Sequence, residues 1–504
     1  MKRVNKLFNE TLHTPTWLFV LLLVVLILRI PSFFEPYSYG DEMIYLALGE
    51  AIRQGIPLYS GIHDNKPPLL YIVAAVAGNL FWFKAILTVW VILTIYIFWK
   101  FLDYLFPKNT KAQVVGTFIF SILTTIPLLE GNIVNAELFM IGPTIFAFYL
   151  LLSKKLTPRN LFTSGFLFSI STLFKVPAAF DLPTIIFVWI AGLKVVNLKH
   201  IKAIAKNIFY LAVGFSAPII VTLAWFYTQG SFNEYLVAAF MQNVGYLSSW
   251  RPSDIQEPFL VKNAPLIMRS LIVLAGLTLL FWKRGKLSKK FLFASSWMLL
   301  SLFAVTLSER PYPHYLIQSI APLSILSAMF FTQKTLEQVL VIIPLALFFL
   351  VPKYYNFWHY KTLPYFEKFV KFAIGKQTYD QYLQTFGSNV ERNYKISEYI
   401  VSVTKESEKI FVWGSDSSAI YAITKRFPPG KYIADYHIKD FSSDNQTVLT
   451  LRSDPPSFIV ILPSSPEIKG MQNFLTTNYG LTEKIDGAEI WKLLGPKVRS
   501  FMTF

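Results

Sequence analysis

Three acids and four nitrogen bases stand at the edges of long apolar stretches of this chain: Asp41, Glu42 and Glu137, with Lys66, Lys175, Arg310 and His314. A carboxylate beside cations can remove a proton from a hydroxyl while the cations hold an anionic leaving group such as a phosphate. Asp41 and Glu42 follow Gly40, and Gly55 comes after a stretch in which Ile44, Leu48, Ala51 and Ile52 recur at helical spacing. That spacing predicts an amphipathic helix on the membrane surface, begun near Gly40 and stopped at Gly55, with both acids in its first turn. Acids there also favour a helix start without doing chemistry.

The remaining candidates carry similar double readings. Asp64 and Lys66 in HDNKPPLLY precede two prolines, which suit a helix start. Lys66 then stands at the bilayer surface, either meeting a lipid phosphate or simply reaching for water. Glu137, in GNIVNAELF with Glu130 and Asn135, falls at the beginning of an apolar run, where a carboxylate is costly and usually functional. Lys175 in TLFKVPAAFD lies at a proline bend, with Asp181 six residues on, and calls for an anionic partner. In SERPYPHY, Glu309, Arg310 and His314 come just before another run. His314 is open to three roles: phosphate donor, metal ligand or interfacial polar residue.

The elements that must position these residues follow from composition. Of 504 residues 54% are hydrophobic and 15% charged, against about 25% charged in soluble domains. The chain is a polytopic α-helical membrane protein on this count. The formal charge of +17 lacks the polar setting of a nucleic-acid binder, so no nucleic-acid partner is expected. With no Cys there is no disulfide, thiol nucleophile or thiolate metal site. A spanning helix needs about 20 apolar residues. Candidate runs cover 17–34, 82–103, 111–129, 136–152, 160–175, 177–193, 207–228, 264–282, 291–308, 313–331 and 336–352.

Charge sets the orientation. With the N-terminus (Lys2, Arg3, Lys6) cytoplasmic and 67–81 re-entrant or surface-bound, the inner loops collect the basic clusters, such as Lys283, Arg284, Lys286, Lys289 and Lys290. The outer loops keep Arg53, Lys66, Lys175, Arg251, Lys262 and Arg310. This gives about eleven crossings, apolar centres largely free of charge, and an outer C-terminus. The first run, lacking a small-residue cleavage site, reads as an uncleaved anchor of the plasma or inner membrane. Residues 1–352 form the membrane domain. Residues 353–504 form an extracytoplasmic linker and a small α/β domain with strands in 409–415 and 457–463, helices in 417–425 and 468–477, and a hairpin at Asp486-Gly487.

On this topology the acids and cations converge at one depth on the outer face, which suits transfer from a lipid-borne phosphate. An ion transporter would instead bury charges near the midplane. The DE pair after the first run, Tyr45 and then KPPLLY resemble the GT-C glycosyltransferases, which include protein O-mannosyltransferases and lipid A aminoarabinose transferases. LFKVP (173–177) is similar to the TKG-type segment of the aminoarabinose branch, with Phe174 for Thr and Val176 for Gly. NAELF (135–139) resembles a second acidic position, and RPYPHYLIQSIAPL (310–323) the R-x-Y-x-H-Y segment of bacterial members. The likeness spans roughly 15–330.

It implies inverting transfer of a sugar from a polyprenyl-phosphate sugar donor to a lipid, glycan or protein acceptor on the outer face. Asp41 is then the base, Glu42 its neighbour, and Glu137 a second carboxylate that orients acceptor or sugar. Lys66 and Lys175 contact the donor phosphate, and Arg310 and His314 join them in binding it. No organic cofactor is expected. A divalent metal on Asp41, Glu137 and His314 stays open. The competing reading is a non-catalytic transporter or scaffold for lipid-linked saccharides.

Overall fold

A computed structural model describes residues 14–195, 197–242, 258–308, 310–332 and 335–495. Glu309 and Arg251, named above, lie outside the described residues, as do Lys2, Arg3 and Lys6. Every one of the eleven apolar runs is helical. Seven are long and apolar enough to cross a membrane among the described residues: Thr16–Phe34, Leu80–Leu105, Ala136–Ser153, Leu198–Thr228, Ala264–Lys286, Pro313–Thr332 and Leu336–Tyr354. Thr110–Leu123 and Val176–Ala191 are apolar but shorter. Pro158–Phe174 and Lys289–Thr306 carry the two remaining runs. The chain is a membrane protein. The 67–81 stretch folds as Leu69–Ala77, nine residues between Pro68 and a left-handed Gly78. At 1.5 Å per residue it reaches about 14 Å, half of a bilayer core of about 30 Å.

The helix Gly40–Arg53 forms where its spacing predicts it, but not as a one-sided surface helix. Every residue from Glu42 to Ala51 is buried. One side packs on Leu69–Ala77, and the other is covered by Ser417–Thr424 from the C-terminal part of the chain. Ser418 Oγ donates to the Gly40 carbonyl (3.4 Å), Gln54 Nε2 to the Lys425 carbonyl (3.1 Å), and Lys425 Nζ pairs with Glu50 (3.6 Å). An amphipathic pattern reads as half-exposed only until a second layer arrives.

After Tyr354 come three helices, Thr362–Ala373, Tyr379–Gln384 and Ser388–Val403, and then a four-stranded sheet. β1 (Ile410–Trp413) and β2 (Phe458–Ile461) pair in parallel; β3 (Tyr479–Ile485) and β4 (Ala488–Leu493) form a hairpin, giving the order β1-β2-β4-β3. The hairpin turns on Asp486 (φ 47°) and Gly487 (φ 81°), the left-handed pair that a two-residue turn requires.

At Gly49 the site helix passes close to the backbone of its neighbour. A Cβ there would sit 2.6 Å from the backbone of Ala74 and Ala75. Gly49→Val is therefore expected to destabilise the fold by about 1–3 kcal/mol through forced separation of the two helices. Thermal unfolding of the detergent-solubilised protein checks this; an unchanged Tm would show that Gly40–Arg53 does not depend on that approach.

Candidate active site

Successive residues of a helix diverge by about 100° around its axis, so the Asp41-Glu42 pair cannot face one place. The Asp41 side chain is 33% exposed and Glu42 is buried at 1%. Asp41 Oδ2 accepts a hydrogen bond from Tyr45 OH one turn on (3.0 Å) and lies 3.8 Å from Lys66 Nζ. That ammonium is also 3.7 Å from Asp64 Oδ2 and 5.0 Å from the centre of the Tyr45 ring. The Lys66 backbone is fixed from both sides: its N–H donates to Tyr71 OH (3.2 Å) and its carbonyl accepts from Tyr59 OH (2.8 Å).

Asp64 is fully buried beneath Lys66. It accepts from Tyr71 OH (2.7 Å) and from the Asn65 N–H (2.8 Å), and His437 Nε2 lies 3.3 Å away. Burial pushes this carboxyl up, but Lys66, His437 and Tyr71 together hold it well below the ordinary carboxylate range.

A second cluster faces the first. Glu137, in the first turn of Ala136–Ser153, is ion-paired with Lys175. Lys175 sits extended between Pro158–Phe174 and the turn Val176–Asp181, because Pro177 stops the helix from continuing. Its Nζ lies 3.7 Å from the centre of the Tyr315 ring. His314 Nε2 is 3.8 Å from Glu137, while Nδ1 hydrogen-bonds Glu130. Glu130, held at φ 59°, also accepts from Tyr39 OH (2.9 Å) and Asn135 Nδ2 (3.3 Å).

Both clusters open into one cavity of 830 Å³. Asp41, Lys66, Glu137, Lys175, Arg310 and His314 line it, so six of the seven candidate residues come together. Gln318, Tyr45 and Tyr315 also line it. Phe180, Leu266, Phe303 and Leu307 line an apolar wall, and Tyr436, His437, Asp440 and Phe441 come from the C-terminal part of the chain.

Glu42 does not line this cavity. Its carboxylate lies 2.6 Å from Lys84 Nζ and accepts from the Val134 N–H at 2.5 Å. Lys84 Nζ also binds Glu35 (2.8 Å) and the Asn132 carbonyl (2.9 Å), and Glu35 takes Asn132 Nδ2 (2.7 Å) and Tyr365 OH (2.5 Å). Burial pushes the Glu42 carboxyl up to about 7 despite the pull of Lys84. Arg29 is similarly enclosed, donating to the carbonyls of Thr124 (3.0 Å) and Gly131 (2.8 Å). Both cations lie near the ends of their runs, where charge was expected, and both are buried against protein. Lys84 within LFWFKAILTVW was a visible signal of this. The C-terminal contributors had none, since nothing local marks His437 or Asp440 as facing a cavity. Among the described residues, no three His, Cys, Asp or Glu side chains are grouped to hold a metal, and the Asp41, Glu137 and His314 set is not such a group.

No family model matches the sequence, and no curated protein matches it. By structure the chain resembles ArnT from Cupriavidus metallidurans bound to undecaprenyl phosphate, with a TM-score of 0.55 and 11% identity over 95% of this chain and 98% of that one. The apo state of the same protein aligns with a TM-score of 0.52 at 11% identity, over 94% and 97% of the two chains. The fold is therefore GT-C.

Two outcomes follow from this geometry. Lys84→Met leaves Glu35 and Glu42 buried without their cation and is expected to cost about 3–5 kcal/mol, against little for an exposed lysine such as Lys371. Chemical unfolding of both variants measures the difference. For Asp64, a folded pKa below the unfolded value means that its stabilisation is complete above about pH 4 and fades as pH falls from there. The Tm gap between wild type and Asp64→Asn should thus persist from pH 8 down to about 5; a gap that closes near neutrality would contradict the assigned partners.

Proposed function

We propose that this protein is a membrane glycosyltransferase that moves a sugar from a polyprenyl-phosphate donor to an acceptor hydroxyl, with inversion at the anomeric carbon. One observation carries the reading: a single cavity is lined by an accessible carboxylate and several cations together with apolar side chains such as Phe180, Leu266, Phe303 and Leu307. That is the polarity of a lipid phosphate, with its head among cations and its chain along hydrocarbon. The shared GT-C fold supports it, since the structural relative was crystallised with undecaprenyl phosphate.

Asp41 is the base in this reading. It is the exposed member of the acidic pair, and Tyr45 orients it. The acceptor oxygen bonds to the anomeric carbon as its proton passes to Asp41, and the bond from that carbon to the phosphate oxygen breaks. Lys66 and Arg310 stabilise the departing phosphate. Lys175 assists, although its ion pair with Glu137 engages part of its charge. Glu137, fixed between Lys175 and His314, orients acceptor or sugar. Glu42 serves as scaffold. The basic loops put the N-terminus in the cytoplasm and the cavity on the outer side.

Asp41→Asn keeps the shape but not the proton acceptor. Transfer of radiolabelled sugar from a polyprenyl-phosphate donor is expected to fall by about 10²–10⁴-fold, with donor affinity nearly unchanged. Transfer at close to the wild-type rate would refute the base assignment. Movement of labelled donor across liposomes without any new glycosidic product would favour a transporter.

A further inference from the structure

The donor chemistry leaves one wall of the cavity unused. The short helix Asp435–Phe441 contributes Tyr436 and Asp440 to the lining, four residues apart and so on one helix face. Tyr436 is 39% exposed and Asp440 is exposed as well. Asp440 makes no hydrogen bond or ion pair with any described residue, although the same cavity holds Lys66, Lys175 and Arg310. The helix does not float over the site. His437, between the two, reaches Asp64 (3.3 Å), and the His63 N–H donates to the Lys431 carbonyl (2.9 Å). The wall is thereby tied to the loop that carries Lys66.

We infer that Tyr436 and Asp440 form the acceptor subsite, and that the acceptor presented there is an uncharged carbohydrate. The inference rests on the transferase reading for its role and on charge for its chemistry. A carboxylate repels phosphate, so this wall does not serve the leaving group; the cations do. An aromatic face beside a carboxylate fits a sugar ring, whose C–H face packs on the tyrosine and whose hydroxyls donate to the carboxylate. An anionic acceptor would meet Asp440 as a like charge. The bound hydroxyl is the one whose oxygen bonds to the donor's anomeric carbon, with its proton leaving to Asp41.

Binding can be read without any donor, which separates this inference from the proposed activity. Full-length protein in nanodiscs containing undecaprenyl phosphate, which occupies the cations, is titrated with methyl glucoside, glucose 6-phosphate and glucosamine, and followed by saturation-transfer NMR. The glycoside is expected to bind, and the phosphate to bind at least about tenfold more weakly. Asp440→Ala and Tyr436→Ala should each weaken the glycoside about tenfold or more, while Tyr436→Phe retains most of it. An unchanged Tm, expected for exposed positions, shows that the variants fold. Preference for the phosphate or the amine, no binding of the glycoside, or an Asp440→Ala titration like that of wild type would each overturn the assignment. Hydrolysis of labelled polyprenyl-phosphate sugar by the wild type tests the transferase reading separately.

Discussion

One buried ammonium holds the acid-bearing segments in register. Lys84 Nζ lies at hydrogen-bonding distance from Glu42, Glu35 and the Asn132 carbonyl, and its side chain has no exposure. Glu42 belongs to the helix that presents Asp41. Asn132 and Val134 belong to the loop that runs between Glu130 and Glu137. Tyr365, on Glu35, brings in the first helix after the last spanning run. A cation removed from water must find such partners or be lost, so its burial specifies where four distant segments meet. The two catalytic candidates Asp41 and Glu137 inherit their separation from that meeting point.

The C-terminal part of the chain is joined to the same region by different means. Ser417–Thr424 covers Gly40–Arg53, converting an amphipathic helix into a fully enclosed one. His437 reaches Asp64, which in turn sits beneath Lys66. The sheet thus lies far from the cavity in sequence pattern but is connected to it through a carboxylate that must stay ionised. This arrangement gives the loop carrying Lys66 two independent supports, Tyr59 and Tyr71 from within and His437 from the added layer.

The apolar runs, the break at Lys175, the short 69–77 helix and the hairpin at Asp486-Gly487 were all legible, because each depends on local composition or on backbone chemistry. Six of seven candidate residues also share one cavity, since polar groups at the ends of apolar runs have few places to go. What stayed hidden was orientation. Asp41 and Glu42 are neighbours of the same charge, and only packing decides which one turns toward Lys84. The roles of Asp64 and His437 were hidden for a similar reason: their meeting spans more than 370 positions, and neither carries a local signature. Lys84 itself was readable as an anomaly, but not its partners.

Distance separates the structural cation from the chemical one. Lys84 sits 2.6–2.9 Å from three oxygens, within ordinary hydrogen-bond length, so each of its protons has a permanent acceptor. Lys66 stands 3.7 and 3.8 Å from two carboxylates, close enough for attraction and too far for a hydrogen bond to either. Asp64 and Asp41 attract that ammonium from two sides. A phosphate entering the cavity would meet a cation flanked by two carboxylates at ion-pair distance. Lys84, by contrast, could serve a ligand only by dismantling the scaffold. The same residue type thus performs different tasks three residues before a helix start and inside a spanning helix, and about one ångström of separation from its carboxylates distinguishes them.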